Sequence, residues 1–301
     1  MDEMTAVRYL RSEAPVAQRP DLVPGRDRLL REAGRGSRRL RADWRLAAVG
    51  AAAITAVALI GTQVVGDGSG DTRPGSLPSY TIELGSAKDL LNQAADVIAA
   101  SPGTSARAGQ WVYSRTVETN LTEDDRPGPR TSEAWTKYAD PAFENGRQGD
   151  DHSPREQYEF LRTLPDDVQQ VRARARQFYD ATDSTESRVQ HEYRALGAVL
   201  ARAYPYDPEG LAKVYRALAS IPGVQAADVT DVTGRAAIAL YLKGTHPSAD
   251  RSEILLDPVT YLYRGFRYVA TTDGDGWERG DAVISGARVA VGVVEKEGRQ
   301  L

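Results

Sequence analysis

The sequence predicts an α+β domain standing behind a single transmembrane helix. Three observations carry this expectation. Residues 46–65 read LAAVGAAAITAVALIGTQVV and hold no charge over 20 positions. Helical periodicities and cap residues then dominate to about residue 222. After Gly223 the pattern changes to short apolar runs divided by turn residues, which read as an antiparallel meander.

Taken in order, residues 1–45 form a basic segment with 11 Arg against 7 Asp and Glu. Met4, Val7 and Leu10 share one helical face. A second amphipathic stretch from Asp21 to Ala33 places Leu22, Arg26, Leu29 and Leu30 at helical spacing. Pro15, Pro20 and Pro24 interrupt between them, so the segment is too short to fold alone. Two readings remain open. It docks onto a cytoplasmic partner through Leu22, Leu29 and Leu30, or it lies as a basic arm on anionic lipid.

Residues 46–65 would span about 30 Å as a helix, the thickness of a bilayer core. The eight Leu, Ile and Val of this Ala-rich stretch must drive insertion, at roughly −0.3 to −0.6 kcal/mol each. Arg35, Arg38, Arg39, Arg41 and Arg45 precede it, and Asp67 and Asp71 follow. The Arg-rich side stays inside, so the N-terminus is expected in the cytoplasm and the larger domain outside. A cleaved secretory signal fits poorly, with 45 residues ahead of the apolar run and Val64-Val65-Gly66 as the cleavage site. Ser37-Arg38-Arg39 is twin-arginine-like, but Arg41 stands where an apolar residue is preferred.

Residues 66–78, GDGSGDTRPGSLP, make a flexible linker. The domain proper is expected over residues 79–301; residues 66–301, linker included, carry 35 of the chain's 42 acids. Ser86 is placed to cap a helix whose apolar face is Leu90, Leu91, Ala94, Ala95 and Ile98, ending at Ser101-Pro102-Gly103. Strands are expected at residues 110–117 and 133–138, joined by a charged loop. A helical insertion follows. Ser153-Pro154-Arg155-Glu156 reads as a capping box with Pro in the first turn. Arg172, Arg174 and Arg176 read as a solvated helical face, residues 183–204 as an amphipathic helix, and Asp207 as the cap of another. Strands are then expected at residues 226–232, 236–243, 253–256, 261–270 and 282–295.

Chemical motifs are few. The chain has no cysteine and only three histidines, His152, His191 and His246, which removes disulfides, thiolates and most metal sites. Asp273-Gly274-Asp275-Gly276-Trp277-Glu278 lacks the oxygen ligand and glycine that a calcium loop needs at its fifth and sixth positions; it reads as a hairpin turn. Asp150-Asp151-His152 precedes a helix N-terminus, where acids are favoured anyway. Phosphate loops, dinucleotide fingerprints and nucleophile elbows are missing. An enzyme is not expected, nor a cofactor, a metal or a nucleic-acid partner.

Two segments carry a resemblance. One is Leu218-Ala219-Ser220-Ile221-Pro222-Gly223-Val224 with Asp228-Val229-Thr230-Asp231 and Gly234-Arg235; the other is Glu253-Ile254-Leu255-Leu256-Asp257-Pro258-Val259-Thr260. With Met1-Asp2-Glu3 and residues 46–65, the chain resembles an uncharacterised family of actinobacterial single-pass membrane proteins. That family's genes often neighbour those of extracytoplasmic-function sigma factors, although the histidine–cysteine zinc motif common in membrane anti-sigma factors is absent here. The resemblance implies a regulator whose residues 1–45 engage a sigma factor.

The domain also looks similar to the half-barrels of periplasmic lipoprotein carriers and related sensors. This implies a curved antiparallel sheet with an apolar cavity for a lipid or similar ligand. Trp111, Tyr113, Trp135, Tyr138, Tyr261 and Tyr263 are the expected lining, since Tyr and Trp suit a cavity with a wet mouth. Tyr261 and Tyr263 would share one strand face, and Tyr268 would join it only if a bulge at Gly265 shifts the register. The alternative is that these rings pack against the helix that starts after Ser86.

Overall fold

The computed structural model describes residues 82–83, 86–122, 128–147, 151–180, 185–244, 251–274 and 276–301. The expected cytoplasmic segment (residues 1–45, with Leu22, Leu29 and Leu30), transmembrane helix (46–65) and linker (66–78) lie outside the described residues. Among the described residues, no helix is long and apolar enough to cross a membrane.

The described chain is a mixed α+β domain. In order, the elements are β1 (Ile82–Glu83), α1 (Ala87–Ala99), β2 (Trp111–Asn120), β3 (Arg130–Lys137), α2 (Pro154–Arg162), α3 (Val168–Phe178), α4 (Arg188–Arg202), α5 (Pro208–Ala219), β4 (Val224–Thr230), β5 (Ala236–Leu242), β6 (Arg251–Leu256), β7 (Tyr263–Val269) and β8 (Ala282–Val294). The strands form one sheet in the order β1-β4-β5-β6-β7-β8-β2-β3, antiparallel throughout. The meander from β4 to β8 thus matches its expectation, and the β2–β3 hairpin adds to its far end.

The helices start where the sequence places acceptors for their free N–H groups. Ser153, Asp167, Ser187 and Asp207 each accept a backbone N–H three residues on. Two caps differ from expectation. Ser86 precedes α1 but makes no side-chain cap bond. Ser153 caps α2, but Glu156 does not close the box: its Oε1 accepts from the Asn145 N–H at 2.7 Å and its Oε2 meets His152 Nδ1 at 3.1 Å. The reciprocal box lies at Ser187 and Gln190 instead.

The core is the seam between helices and sheet. Leu91, Ala94, Ala95 and Ile98 of α1 join Leu196, Val199 and Leu200 of α4 and Leu211, Val214 and Leu218 of α5. The sheet contributes Ile238, Leu240, Leu242, Ile254 and Leu256 to this cluster. Gly197 sits directly over Ile254, where an added Cβ would come within 2.5 Å of its Cδ1. Ala227, Val229, Ala237, Ala239 and Leu255 make a smaller cluster on the sheet's other face.

The expected solvated face of α3 is a correction. Arg172 is buried and binds Glu192 of α4 through Nε at 2.7 Å. Arg174 stacks over the Phe160 ring at 5.6 Å, and Arg176 Nε lies 3.4 Å from Glu192. The partner acid lies on the next helix, so a local charge pattern does not show it.

The sheet is curved. Arg235 precedes β5, and its Nη2 donates to the carbonyl of Arg288 in β8 at 3.2 Å. On a flat sheet those strands would be about 14 Å apart, three strand spacings. Three register shifts accompany the bend, at Leu255/Leu256 against β7, at Tyr268/Val269 and at Arg115/Thr116. The first leaves Arg264, next to Gly265, as the extra residue, which is the shift Tyr268 needs to join the face of Tyr263. Tyr263 then pairs Leu256, Phe266 pairs Ile254 and Tyr268 pairs Ser252, so Tyr263 and Tyr268 share the helix-side face. Gly265 itself is held by space: an added Cβ would lie 2.0 Å from the Gly286 oxygen.

Candidate functional site

The site begins with the turn between β6 and β7. Asp257 Oδ1 accepts the N–H groups of Val259 and Thr260, both at 2.9 Å. This side-chain turn replaces the start of a strand. It forces Tyr261 to a φ of 57°. Tyr261 therefore does not extend β7 as expected. Its ring is buried, and its carbonyl accepts the Tyr215 hydroxyl. Arg264 pairs with Asp257 Oδ2 and donates to the Ala236 carbonyl, which ties this turn to the start of β5.

The opposite wall comes from β8. Thr116 pairs Arg288 and Arg115 pairs Ala290, so Val289 is the extra residue of a bulge. Bulges re-aim side chains beside sites, and here residues 288 to 291 all line one cavity. The C-terminal turn of α4 and the start of α5 close it with Leu200, Ala203, Tyr204, Leu211 and Tyr215. The cavity holds about 180 Å³.

Its electrostatics are unbalanced. Three guanidiniums line it, those of Arg235, Arg264 and Arg288. Arg235 is paired with the fully buried Asp231 at 2.8 Å, and Arg264 with Asp257. Arg288 has no carboxylate within ion-pair distance among the described residues. It donates to the Ala201 carbonyl at 3.2 Å and the Tyr263 carbonyl at 2.8 Å, and stacks over the Tyr263 ring at 4.8 Å. The first of these carbonyls belongs to the last turn of α4, where the helix dipole favours a cation.

Burial lowers the Arg288 guanidinium from its usual pKa, and the neighbouring phenols of Tyr263, Tyr204 and Tyr215 oppose that shift only in part. Arginine stays protonated through such shifts. Burial likewise pushes the Tyr263 phenol up to about 12 and raises those of Tyr204 and Tyr215. The tyrosines are therefore neutral donors around a fixed positive charge.

The six rings expected to line an apolar site do not come together. Tyr263 lines the cavity. Trp111, Tyr113 and Trp135 lie on the face away from the helices, as the pairing of Tyr113 with Trp135 and Gly292 places them. There the Tyr113 and Trp135 rings meet at a tilt with centroids 5.3 Å apart, the Tyr113 hydroxyl donates to Glu133 at 2.6 Å, and the Trp135 indole donates to the Arg299 carbonyl at 2.7 Å. Tyr138 follows β3 and is buried where its carbonyl accepts the Arg155 N–H. Arg288, which sequence reasoning passed over, had one visible signal: it is the single charge in the 13 residues of β8.

A wider cleft of about 580 Å³ runs between the start of α1 and the turn after α5. Its cations, Lys88 and Arg216, are exposed, and Arg216 already meets Asp96 at 3.1 Å. Among the described residues no group of His, Asp and Glu is arranged to hold a metal. No protein-family model, curated protein or solved structure matches the chain.

Proposed function

We propose that the chain is a single-pass membrane protein whose extracytoplasmic α+β domain binds a ligand and whose residues 1–45 act on a cytoplasmic partner, a sigma factor being the partner the sequence resemblance suggests. The observation that supports the ligand-binding half is the cavity between the helices and the bulged β8, with Arg288, which has no acidic partner among the described residues. Buried cations without acids are costly, and a fold retains such a group more readily where a ligand completes it.

The topology rests on the Arg excess before residues 46–65. It is tested by single cysteines in this cysteine-free chain. Ser248→Cys should react with a membrane-impermeant maleimide on intact cells, and Ser12→Cys only after lysis. The reverse pattern would overturn the orientation. An extracytoplasmic carrier for an apolar ligand would need the same cavity but not residues 1–45, so a sigma factor captured by residues 1–45, and lost on Leu29→Asp with Leu30→Asp, favours the regulator.

A further inference from the structure

We propose that the cavity beside the β8 bulge is a site for a small amphipathic monoanion, a carboxylate carrying a short apolar tail, with Arg288 receiving the carboxylate. This rests on the ligand-binding reading above and names its ligand class.

Charge decides the headgroup. Three guanidiniums face the cavity and two are matched by Asp231 and Asp257. Both acids have depressed pKa values. Burial opposes ionisation in each, and hydrogen bonds from Thr233 and Arg235 outweigh it for Asp231, as those from the Thr260 and Val259 backbone and the charge of Arg264 do for Asp257. One positive charge is left over, on Arg288. A single negative charge balances it; a dianion would be left with an uncompensated charge in a partly buried space.

Geometry supplies the donors. A guanidinium carries five N–H groups in a planar fork. Arg288 places two on backbone carbonyls and holds its plane against Tyr263. A carboxylate accepts such a fork through charge-assisted bonds, roughly twice as strong as neutral ones.

Volume and lining decide the tail. About 180 Å³ accommodates roughly six water-sized groups, at about 30 Å³ each. Leu200, Leu211, Leu262 and Val291 supply an apolar wall. A bare inorganic anion would leave that wall wet, and a long acyl chain would not fit inside it.

The test is calorimetric titration of the full-length chain in lipid nanodiscs, with empty nanodiscs subtracted. Hexanoate, 1-hexanol and inorganic phosphate are titrated through the millimolar range. Saturable hexanoate binding at least tenfold tighter than that of 1-hexanol or phosphate is expected. Arg288→Gln should weaken hexanoate at least tenfold and leave 1-hexanol within about twofold. Val291→Phe narrows the cavity while keeping Arg288 and should weaken both probes. If Arg288→Gln loses its folded circular dichroism, Val291→Phe decides: unchanged hexanoate binding in that variant overturns the proposal. Equal binding of hexanoate and 1-hexanol overturns the anion site while sparing the ligand-binding reading. Phosphate binding as tightly as hexanoate overturns the amphipathic ligand in the same way. Absence of binding by all three probes overturns the proposal and the ligand-binding reading together.

Discussion

Replacing Glu192 with Ala should destabilise the domain more than almost any other charge deletion. Glu192 is fully buried on α4. Its Oε2 accepts from Arg172 of α3, with Nε at 2.7 Å, and its Oε1 accepts from Arg188 Nε at 2.9 Å, while Arg176 lies 3.4 Å away. Burial opposes its ionisation, but the bonds from Arg188 and Arg172 outweigh that, and its pKa falls below the ordinary glutamate value.

Removing the carboxylate leaves the buried Arg172 with no acidic partner among the described residues, only the Ser220 hydroxyl at 3.5 Å, and sets three like charges together. Breaking a buried pair from one side costs about 3–5 kcal/mol. At about 2–4 °C per kcal/mol for a domain of this size, the melting temperature should drop by roughly 6–20 °C. Thermal unfolding of the full chain, followed by far-UV circular dichroism, measures it. The double variant Arg172→Met with Glu192→Leu should recover much of the loss, because an apolar pair of similar volume needs no compensation. A pH series adds a second check. The depressed pKa means that the Glu192 contribution is present above the unfolded value of about 4.3. It is lost as pH falls through the lower folded value, and Glu192→Gln should lack that part of the acid dependence. If Glu192→Ala shifts stability by less than about 0.5 kcal/mol, the size of a surface effect, the cluster does not hold α3 to α4 and the reasoning fails.

Two further outcomes follow from close contacts and caps. Gly210→Ala puts a Cβ 2.2 Å from the Leu161 carbonyl oxygen, a backbone atom of α2; overpacking of about 1–3 kcal/mol should exceed the gain of about 1 kcal/mol in helix propensity, so a rise in melting temperature would show that α2 and α5 can separate freely. Asp231→Asn removes an ionised acceptor of the Thr233 and Arg235 N–H groups at 2.9 and 3.1 Å. Since the Asp231 pKa is depressed, its stabilisation is present above about pH 3.9, the unfolded value, and disappears as pH falls through the folded one. Wild type and Asp231→Asn should therefore differ by about 1–3 kcal/mol near neutrality and converge in strong acid, and a constant difference across pH would argue against the assignment.

Local signals made most of the fold legible. The five-strand meander follows from apolar runs punctuated at Thr233-Gly234, Asp257-Pro258 and residues 273–276, and the helix caps follow from Asp207 and Ser153. What the sequence hid was long-range. Arg172 reads as solvated because its partner lies 20 residues away on another helix. Tyr261 reads as strand because nothing local shows the Asp257 side chain capturing two backbone N–H groups. Trp111, Tyr113 and Trp135 do share a face, as their alternation requires, but alternation does not say which face meets the helices. The candidate site was nearly invisible for the same reason. Arg288 turns into its cavity at a bulge created by pairing with β2, some 170 residues earlier in the chain.

The two ends of the sheet have a further bearing on how the domain behaves when crowded. An outer strand with free N–H and C=O groups is a template onto which another chain can add. Here one border ends in β1, whose two residues leave almost no ladder to copy. The other ends in β3, where Arg130, Glu133 and Lys137 alternate along the strand. There the C-terminal residues fold back, Gln300 donating to both Glu133 oxygens at 2.9 and 3.0 Å and Leu301 lying over Gly292. Deleting residues 296–301 would bare the sheet face around Trp135 and Gly292 beside this border, and self-association over that face, rather than unfolding, is the failure such a truncation invites.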